Sequence, residues 1–180
     1  KEKRYIVSIG RLSRQKNYKF LLKNFVDISK IFPDLCLIIL GEGEDERKLK
    51  DIIKKNNLDE KVFLIGKKNN IYPYLSSALF FVLTSEWEDP GFVILESMFA
   101  RKIVLSSDCQ NGPIEIIRNG DNGFLYKKND VVDFYNKFKD IVKIINFDKK
   151  NKDAILLSAL KKTKSFSLMG HYKDISSHLK

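Results

Sequence analysis

Short apolar runs alternate with longer amphipathic segments along this chain, and this alternation is the feature that most restricts its fold. Leu35–Leu40 is a continuous apolar run closed by Gly41, which is typical of a strand buried on both faces of a sheet. The preceding segment, residues 17–32, places apolar side chains at helical spacing and stops at Pro33. A buried strand next to an amphipathic helix is the repeating unit of a parallel α/β sheet.

The alternation continues over the whole chain. Strands are predicted at residues 5–10, 35–40, 61–65, 79–83, 103–106 and 124–126. Helices are predicted at residues 17–32, 44–56, 71–77 and 91–99, and two or three more over 131–180 with a break near 147–150. We therefore expect an α/β fold, a doubly wound Rossmann-like parallel sheet of about six strands with helices on both faces. Ligands of such sheets bind beyond the carboxyl ends of the strands.

The length and charge of the chain bound its organisation. A length of 180 residues allows one well-formed core, so we expect a single domain over residues 1–180. Because the chain enters a strand almost at once and lacks an initial Met, we expect it to be part of a longer protein. Its net charge of +10 favours an anionic partner. The lysines are scattered singly or in pairs, which favours a solvated surface, and we expect no nucleic-acid partner.

Signals for metals, disulfides and membrane spans are weak. Cys36 and Cys109 belong to no metal-spaced pair, and the chain has no Asp-x-Asp motif, so we expect no metal. Two cysteines make no disulfide framework, and a reducing, cytoplasmic location is the simplest expectation. No apolar run approaches the length that spans a bilayer.

The segment after the fourth predicted strand carries an anion-binding signal. Pro90 and Gly91 suit the opening of a helix. The free amide groups of Gly91, Phe92 and Val93 would then lie at the carboxyl edge of the sheet. A helix N-terminus in that position binds anions, because it offers free donors and a favourable dipole.

Two glutamates flank this helix start. Glu88 precedes it and Glu96 lies inside the helix, so their carboxylates are expected on the order of 10 Å apart. That distance matches a diphosphate that carries a sugar on one side and a ribose on the other, and carboxylates accept hydrogen bonds from both polyols. Taken alone, Glu88 could instead complement the helix dipole, and Glu96 could be a paired surface acid.

Six segments together resemble one enzyme family. EDPGFVILE resembles the Glu, seven residues, Glu motif of the family-four retaining glycosyltransferases with the GT-B fold. The other segments resemble motifs of that family in the same order: SIGRLSRQKN, LIILGEGEDERKL, VFLIGKK, NGPIEIIRNGDNGFLY and FSLMGHYKDI. Each motif is weak alone, but the set covers nearly the whole chain. The resemblance implies that this chain is the C-terminal, donor-binding half of a GT-B enzyme, without its N-terminal acceptor domain.

The resemblance also implies roles for individual residues. The residues that it implies as catalytic are Arg11, Lys16 and Glu88. Arg11 and Lys16 would neutralise the leaving diphosphate, and Glu88 would hold hydroxyl groups of the donor sugar. Those implied as donor-binding are Gly66, Lys67, Gly91, Phe92, Val93 and Glu96. Glu96 would accept from the ribose, and the backbone near Gly66 would contact the base. No metal or cofactor is implied.

The implied reaction is transfer of a sugar from a nucleotide-diphosphate sugar to a glycan or lipid-linked acceptor, with retention of configuration. We expect a role in surface polysaccharide synthesis, acceptor contacts through the N-terminal domain, and possible peripheral contact with the inner face of the membrane. The isolated chain is expected to bind donor weakly without turnover. Two alternatives are a nucleotide-sugar epimerase of the GT-B fold and a non-catalytic nucleotide or polyanion-binding module.

A few positions depart from the family pattern or have open roles. The family commonly has Ala, Gly and Pro at three positions after the second glutamate, and this chain has Phe99, Arg101 and Ile103 there. These differences leave the local helix packing and the sugar preference open. Asp89 and Pro90 replace its usual Gly-Phe lead-in. Undecided between ligand contact and packing are Trp87, Tyr72 and Tyr74; Glu115 is expected to be structural, and His171 and His178 to lie at the surface.

Overall fold

The computed structural model describes residues 4–166. Its strands are β1 (Arg4–Ile9), β2 (Leu35–Leu40), β3 (Val62–Leu64), β4 (Phe81–Leu83), β5 (Val104–Ser107) and β6 (Phe124–Tyr126). They form one sheet in the order β3-β2-β1-β4-β5-β6, and every neighbouring pair is parallel. The order changes direction between β1 and β4, so the carboxyl ends of these two strands form the switch point at which doubly wound sheets bind ligands.

Helices cover both faces of the sheet. They are α1 (Tyr18–Ile31), α2 (Glu46–Lys55), α3 (Tyr72–Ser77), α4 (Phe92–Phe99), α5 (Pro113–Ile116), α6 (Val131–Phe147) and α7 (Lys149–Ser165), with a one-turn 3₁₀ helix at Arg14–Lys16. Helices α1, α2 and α6 pack in one apolar cluster, and α3, α4 and α5 in the other, while α7 contributes Ile155 to the first and Ala159 to the second. The predicted fold class is therefore confirmed.

Strand β2 shows why a continuous apolar run is required at the centre of this sheet. Leu37 and Ile39 lie in the cluster of α1, α2 and α6, whereas Leu40 lies in the opposite cluster. Successive side chains of a strand point to opposite faces, so a strand covered by helices on both sides needs apolar residues at every position. The alternating residues Ile6 and Val7 of β1 divide between the two clusters in the same way.

The observed boundaries differ from the predicted ones mainly at turns. Helix α4 begins at Phe92 rather than at Gly91, because Gly91 has a left-handed backbone (φ 79°) that cannot be part of the helix. The single turns Arg14–Lys16 and Pro113–Ile116 were not predicted, since one turn is too short to show helical periodicity. The break between the last two described helices falls at Asp148, as predicted.

The C-terminal segment is only partly described. Phe166 is the last described residue of the FSLMGHYKDI motif, so the rest of that motif, His171 and His178 lie outside the described residues. No helix within residues 4–166 is long and apolar enough to cross a membrane.

The N-terminus of α6 provides a local test of the fold. The side chain of Asp130 accepts a hydrogen bond from the Asp133 amide and so caps a helix of 17 residues. We expect Asp130→Ala to lower the free energy of unfolding by about 1 kcal/mol, because the substitution removes the cap. Urea denaturation measures this loss. Asp140→Ala, on the exposed face of the same helix, is the matched control and should change stability by about 0.5 kcal/mol or less; an equal loss in both variants would contradict the capping role.

Candidate functional site

Two adjoining hollows form a cleft at the carboxyl edge of the sheet, at the switch point. The acidic hollow has a volume of about 500 Å³ and is lined, among others, by Lys16, Lys68, Tyr72, Glu88, Asp89, Gly91, Phe92, Val93 and Glu96. The glycine hollow has a volume of about 530 Å³ and is lined, among others, by Arg11, Leu40, Gly41, Glu42, Gly43 and Lys67. Ile9, Gly10, Lys68 and Ile71 line both hollows, so the two are continuous.

Glycines allow the backbone to form the wall of the glycine hollow. A side chain at Gly41 would collide with the carbonyl oxygen of Gly10, and one at Gly43 would collide with that of Leu12. The amide of Gly10 donates to Leu40 O at 2.9 Å, and that of Leu12 donates to Glu42 O at 2.9 Å. The loops after β1 and β2 therefore pack backbone against backbone, which leaves no room for a side chain at Gly41 or Gly43.

A buried ion pair joins the loop after β1 to the loop after β4. The Nζ atom of Lys16 lies 2.6 Å from Oε1 of Glu88, and the two side chains are only 12% and 4% exposed. The hydroxyl of Ser85 donates a hydrogen bond to the same carboxylate oxygen. Because a buried charge is costly without a partner, each of these ions fixes the position of the other. The structure thus places a cation and an acid together on the wall of the acidic hollow.

Tyr18 packs against the loop after β1 and donates a hydrogen bond to it. Its side chain is buried at the start of α1, and its hydroxyl donates to the carbonyl oxygen of Gly10 at 3.3 Å. Burial raises the pKa of the Tyr18 phenol well above its usual value, and the nearby carboxylate of Glu88 acts in the same direction. The phenol therefore stays protonated and keeps its donor role.

The N-terminus of α4 opens into the acidic hollow. Gly91 precedes the helix with a left-handed backbone, and no side chain caps the first turn. Pro90 lies outside the helix, which corrects the expectation that it would open the first turn. The amide groups of Phe92 and Val93, in that first turn, lack partners within the helix and are available to an anion.

Glu96 lies one turn further along α4 and also lines the acidic hollow. Its side chain is half-buried, and within residues 4–166 its carboxylate has no hydrogen bond or ion pair. A half-buried carboxylate without a partner retains its full capacity to accept hydrogen bonds from a ligand.

Arg11, unlike Lys16, makes no ion pair with Glu88 or Glu96 in the described residues. Arg11 is exposed in the glycine hollow, where its Nε lies 3.0 Å from Oε2 of Glu44. The backbone amide of Glu44 donates a hydrogen bond to the Glu44 carboxyl and lowers its pKa, and the Arg11 guanidinium lowers this pKa further. Both side chains of this pair are more than half exposed, so the pair is weak and Arg11 is free to turn toward a ligand in the cleft.

The residues predicted to lie near a base occupy the loop after β3. The amide of Lys67 donates to Oε1 of Glu42 at 3.3 Å, and Lys67 lines the glycine hollow. Gly66 has φ 71° and accepts a hydrogen bond from the Gly41 amide, but it lines neither hollow. Its place in the structure is the turn that presents the following residues to the cleft.

Sequence reasoning missed several lining residues. Lys68, Asn69 and Asn70 belong to the acidic hollow, and their position directly after β3 was the available signal. Tyr72, whose role the sequence leaves open, lines the hollow and also makes an edge contact with Phe99 at 6.3 Å between ring centroids. Trp87 is 47% exposed and lines neither hollow.

Other candidate groups lie away from the cleft. Glu115 is exposed on α5 and lines neither hollow. Cys36 and Cys109 are buried thiols, and burial raises the pKa of Cys109. Within residues 4–166 no three His, Cys, Asp or Glu side chains are grouped so that they could hold a metal ion.

Comparisons with known proteins concern the family and the fold of this chain. The family described as glycosyl transferases group 1 matches residues 1–168. An N-acetylgalactosamine-N,N'-diacetylbacillosaminyl-diphospho-undecaprenol 4-alpha-N-acetylgalactosaminyltransferase from Campylobacter jejuni is 31% identical over 98% of this chain and 46% of its own length. An uncharacterized glycosyltransferase from Methanocaldococcus jannaschii is 38% identical over 62% of this chain and 27% of its own length.

A solved structure shows the same fold in a longer chain. The crystal structure of a TarM mutant from S. aureus, in complex with Fondaparinux, alpha-GlcNAc-glycerol and UDP, has a TM-score of 0.81 and 25% identity, over 91% of this chain and 34% of that one. The chain thus spans less than half the length of these three relatives. It belongs to the family of group 1 glycosyl transferases, as its motifs indicate.

Proposed function

We propose that this chain binds a nucleoside-diphosphate sugar in the cleft, as the donor-binding half of a retaining GT-B glycosyltransferase. The observation that carries the proposal is the meeting of Lys16, Glu88, Glu96 and the first turn of α4 in one hollow. A pyrophosphate requires a cation and free amide groups, whereas a ribose and a sugar require acceptors. The acidic hollow offers all of these within one volume of about 500 Å³.

The proposed chemistry follows from the charge that develops on the donor. When the bond between the sugar and the diphosphate breaks, negative charge builds on the departing phosphate. Lys16 and the amide groups of Phe92 and Val93 are preorganised to stabilise that charge, and Arg11 reaches it from the glycine hollow. Glu88, held by Lys16 and Ser85, offers its second carboxylate oxygen to the hydroxyl groups of the sugar. Retention of configuration is part of the proposal because the segment from Glu88 to Glu96 resembles a motif of the retaining glycosyltransferases.

The relatives support the class of donor and acceptor. TarM was solved with UDP, and the name of the Campylobacter relative includes a diphospho-undecaprenol-linked sugar as acceptor. We propose that the whole protein uses a glycan or lipid-linked acceptor in the synthesis of a surface polysaccharide. Contacts to the acceptor, and any peripheral contact with the membrane, are proposed for parts of the protein beyond this chain.

The two alternatives predict different binding behaviour. A polyanion-binding module would depend on net charge alone, so its affinity would fall steeply with salt and ignore the sugar. An epimerase would convert the donor itself without an acceptor, and product analysis of the intact protein separates it from a transferase.

Calorimetric titration of the chain with UDP, GDP, ADP and their sugars tests the proposed function. We expect saturable binding of one nucleoside diphosphate at one site, with preference for one base and tolerance of 0.15 M salt. Inorganic polyphosphate is the control for binding that depends on charge alone. Equal affinity for all nucleotides and for polyphosphate would overturn the donor-site proposal.

Glu96→Ala separates a donor site from a charge-dependent site. We expect this variant to bind the nucleoside diphosphate about tenfold more weakly, since it loses the acceptor for the ribose hydroxyl groups. A polyanion site would bind more tightly after losing a negative charge. Glu60→Ala is the matched control. Glu60 is exposed and precedes β3, so it lies at the amino ends of the strands, away from the cleft. Calorimetry of the three proteins gives the result, and an unchanged affinity in Glu96→Ala would remove Glu96 from the site.

A further inference from the structure

A polar cluster lies behind the segment that carries Lys16. Glu86 follows β4, and its Oε1 accepts hydrogen bonds from Nδ2 of Asn17 at 2.6 Å and from Nδ2 of Asn129 at 3.1 Å. The two amides also contact each other, since Asn17 Nδ2 lies 2.9 Å from Oδ1 of Asn129. Lys128 adds its Nζ at 3.8 Å from Oε2 of Glu86. Three loops, after β1, β4 and β6, therefore meet at one carboxylate.

The backbone of both asparagines is shaped to make these contacts. Asn17 has φ 48° and Asn129 has φ 62°, both in the left-handed region. Residues other than Gly adopt this backbone conformation at a cost in free energy. Asn tolerates it better than most, because its short side-chain amide forms local hydrogen bonds. Here Nδ2 of both amides reaches across to a third loop, while Oδ1 of Asn17 also accepts from the Phe20 amide and caps α1, so the carboxylate of Glu86 helps to hold two strained turns in place.

The residues on either side of Lys16 are tied to the same segment. The amide of Glu86 donates to Gln15 O at 2.8 Å, and Nε2 of Gln15 donates to Trp87 O at 3.1 Å. The hydroxyl of Thr84 donates to Lys16 O at 2.9 Å. Lys16 is thus held from both sides by residues 84–87, which directly precede its ion-pair partner Glu88.

Glu86 has no direct route to the donor. It lines neither the acidic nor the glycine hollow; it lines a separate cavity of about 450 Å³ between the start of α1 and the start of α2, here called the α1–α2 cavity. Any effect of Glu86 on a ligand in the cleft is therefore indirect, and its side-chain contacts lead to the segment that carries Lys16.

We propose that Glu86 is a positioning residue, which fixes the Lys16 ammonium where it meets the distal phosphate of the donor. Asn17 and Asn129 are the partners through which it acts. This inference rests on the proposed function, because it assigns Lys16 to the diphosphate. It extends that function to a residue outside the cleft and to a loop, after β6, that lines neither hollow.

A double-mutant cycle between Glu86 and Lys16 tests the inference. The parent chain, Glu86→Ala, Glu86→Gln, Lys16→Met and the Glu86→Ala/Lys16→Met pair are titrated with UDP and with UMP, or with the base that the calorimetric screen selects. Melting temperatures define conditions under which all five proteins are folded. We expect Glu86→Ala to weaken UDP binding about tenfold and UMP binding less than about twofold, since only the diphosphate carries the distal phosphate.

Two comparisons distinguish positioning from a purely structural role. Glu86→Gln keeps an oxygen that accepts from both asparagines, so most of the UDP affinity is expected to return. In the Lys16→Met background, Glu86→Ala should cause no further loss of UDP affinity, because the group that it positions is gone. A Glu86→Ala variant that has a lower melting temperature but keeps the parent ratio of UDP to UMP affinity would overturn the inference. The same holds if the UDP affinity of the double variant falls by the product of the two single losses. A parent chain that binds no nucleoside diphosphate would overturn the proposed function and this inference together.

Discussion

Replacing Lys16 with methionine is expected to destabilise the fold by about 3 kcal/mol and to weaken binding of the donor diphosphate about 100-fold, to an affinity that calorimetry at raised concentrations still measures. The stability loss follows from the burial of its partner, because Glu88 is only 4% exposed and would keep a charge balanced by the Ser85 hydroxyl alone. The binding loss follows from the removal of the only cation that the structure, within residues 4–166, pairs with the acids of the acidic hollow. Urea denaturation and calorimetry measure the two effects separately.

The matched control is Lys30→Met on the exposed face of α1. Lys30 pairs with Asp27 at 2.8 Å, but both side chains are about two-thirds exposed. An exposed pair of this kind contributes about 0.5 kcal/mol or less, so stability and ligand binding should remain near those of the parent chain. If both lysine variants lose the same stability, the buried pair has no special role in the fold. If Lys16→Met binds the diphosphate like the parent chain, the assignment of Lys16 to the phosphate is wrong.

Gly112→Ala is expected to cost about 3 kcal/mol or more, the second large effect. Gly112 has φ 73°, and a Cβ atom there would lie 2.7 Å from the carbonyl carbon of Pro90 and collide with its oxygen. Both the backbone of Gly112, with φ 73° and ψ −79°, and the collision oppose alanine, and the neighbour that must move is backbone rather than a flexible side chain. That backbone leads into Gly91 and the first turn of α4, so donor affinity should fall together with stability.

Gly120→Ala separates the two contributions to this cost. Gly120 has φ 82°, close to that of Gly112, but nothing lies within 4 Å of the position that a Cβ atom would take. We expect this variant to lose only about 1 kcal/mol, the cost of a left-handed backbone for an L-residue. Thermal or urea unfolding of both variants gives the difference, which reports the close approach of the loop after β5 to Pro90. Equal losses would show that this approach is not tight.

Much of the fold could be predicted because the relevant signals are local in sequence. The run Leu35–Leu40 has to be a buried strand, and the switch-point rule then places ligands at the carboxyl edge. The helix start near Gly91 could be predicted for the same reason, since Pro, Gly and the following apolar residues lie side by side. Its exact first residue depended on the backbone of Gly91, which sequence alone does not reveal.

Contacts between distant loops could not be predicted. Lys16 and Glu88 are 72 positions apart, and the assignment of Arg11 and Lys16 to the diphosphate required the resemblance to a family. The contacts of Glu86 with Asn17 and Asn129 depend on turns that three separate loops adopt at one edge of the sheet. Each of these residues looks like an ordinary polar loop residue until the strand order brings the loops together.

The most direct measurement is to locate a bound nucleoside diphosphate on the chain, by amide chemical-shift mapping or by crystallography. Binding in the cleft predicts the largest changes at the amide groups of Gly10, Phe92 and Val93, with the diphosphate next to Lys16. Changes confined to Ser13, Lys19 and the rest of the α1–α2 cavity would contradict this placement, even if the affinity were high.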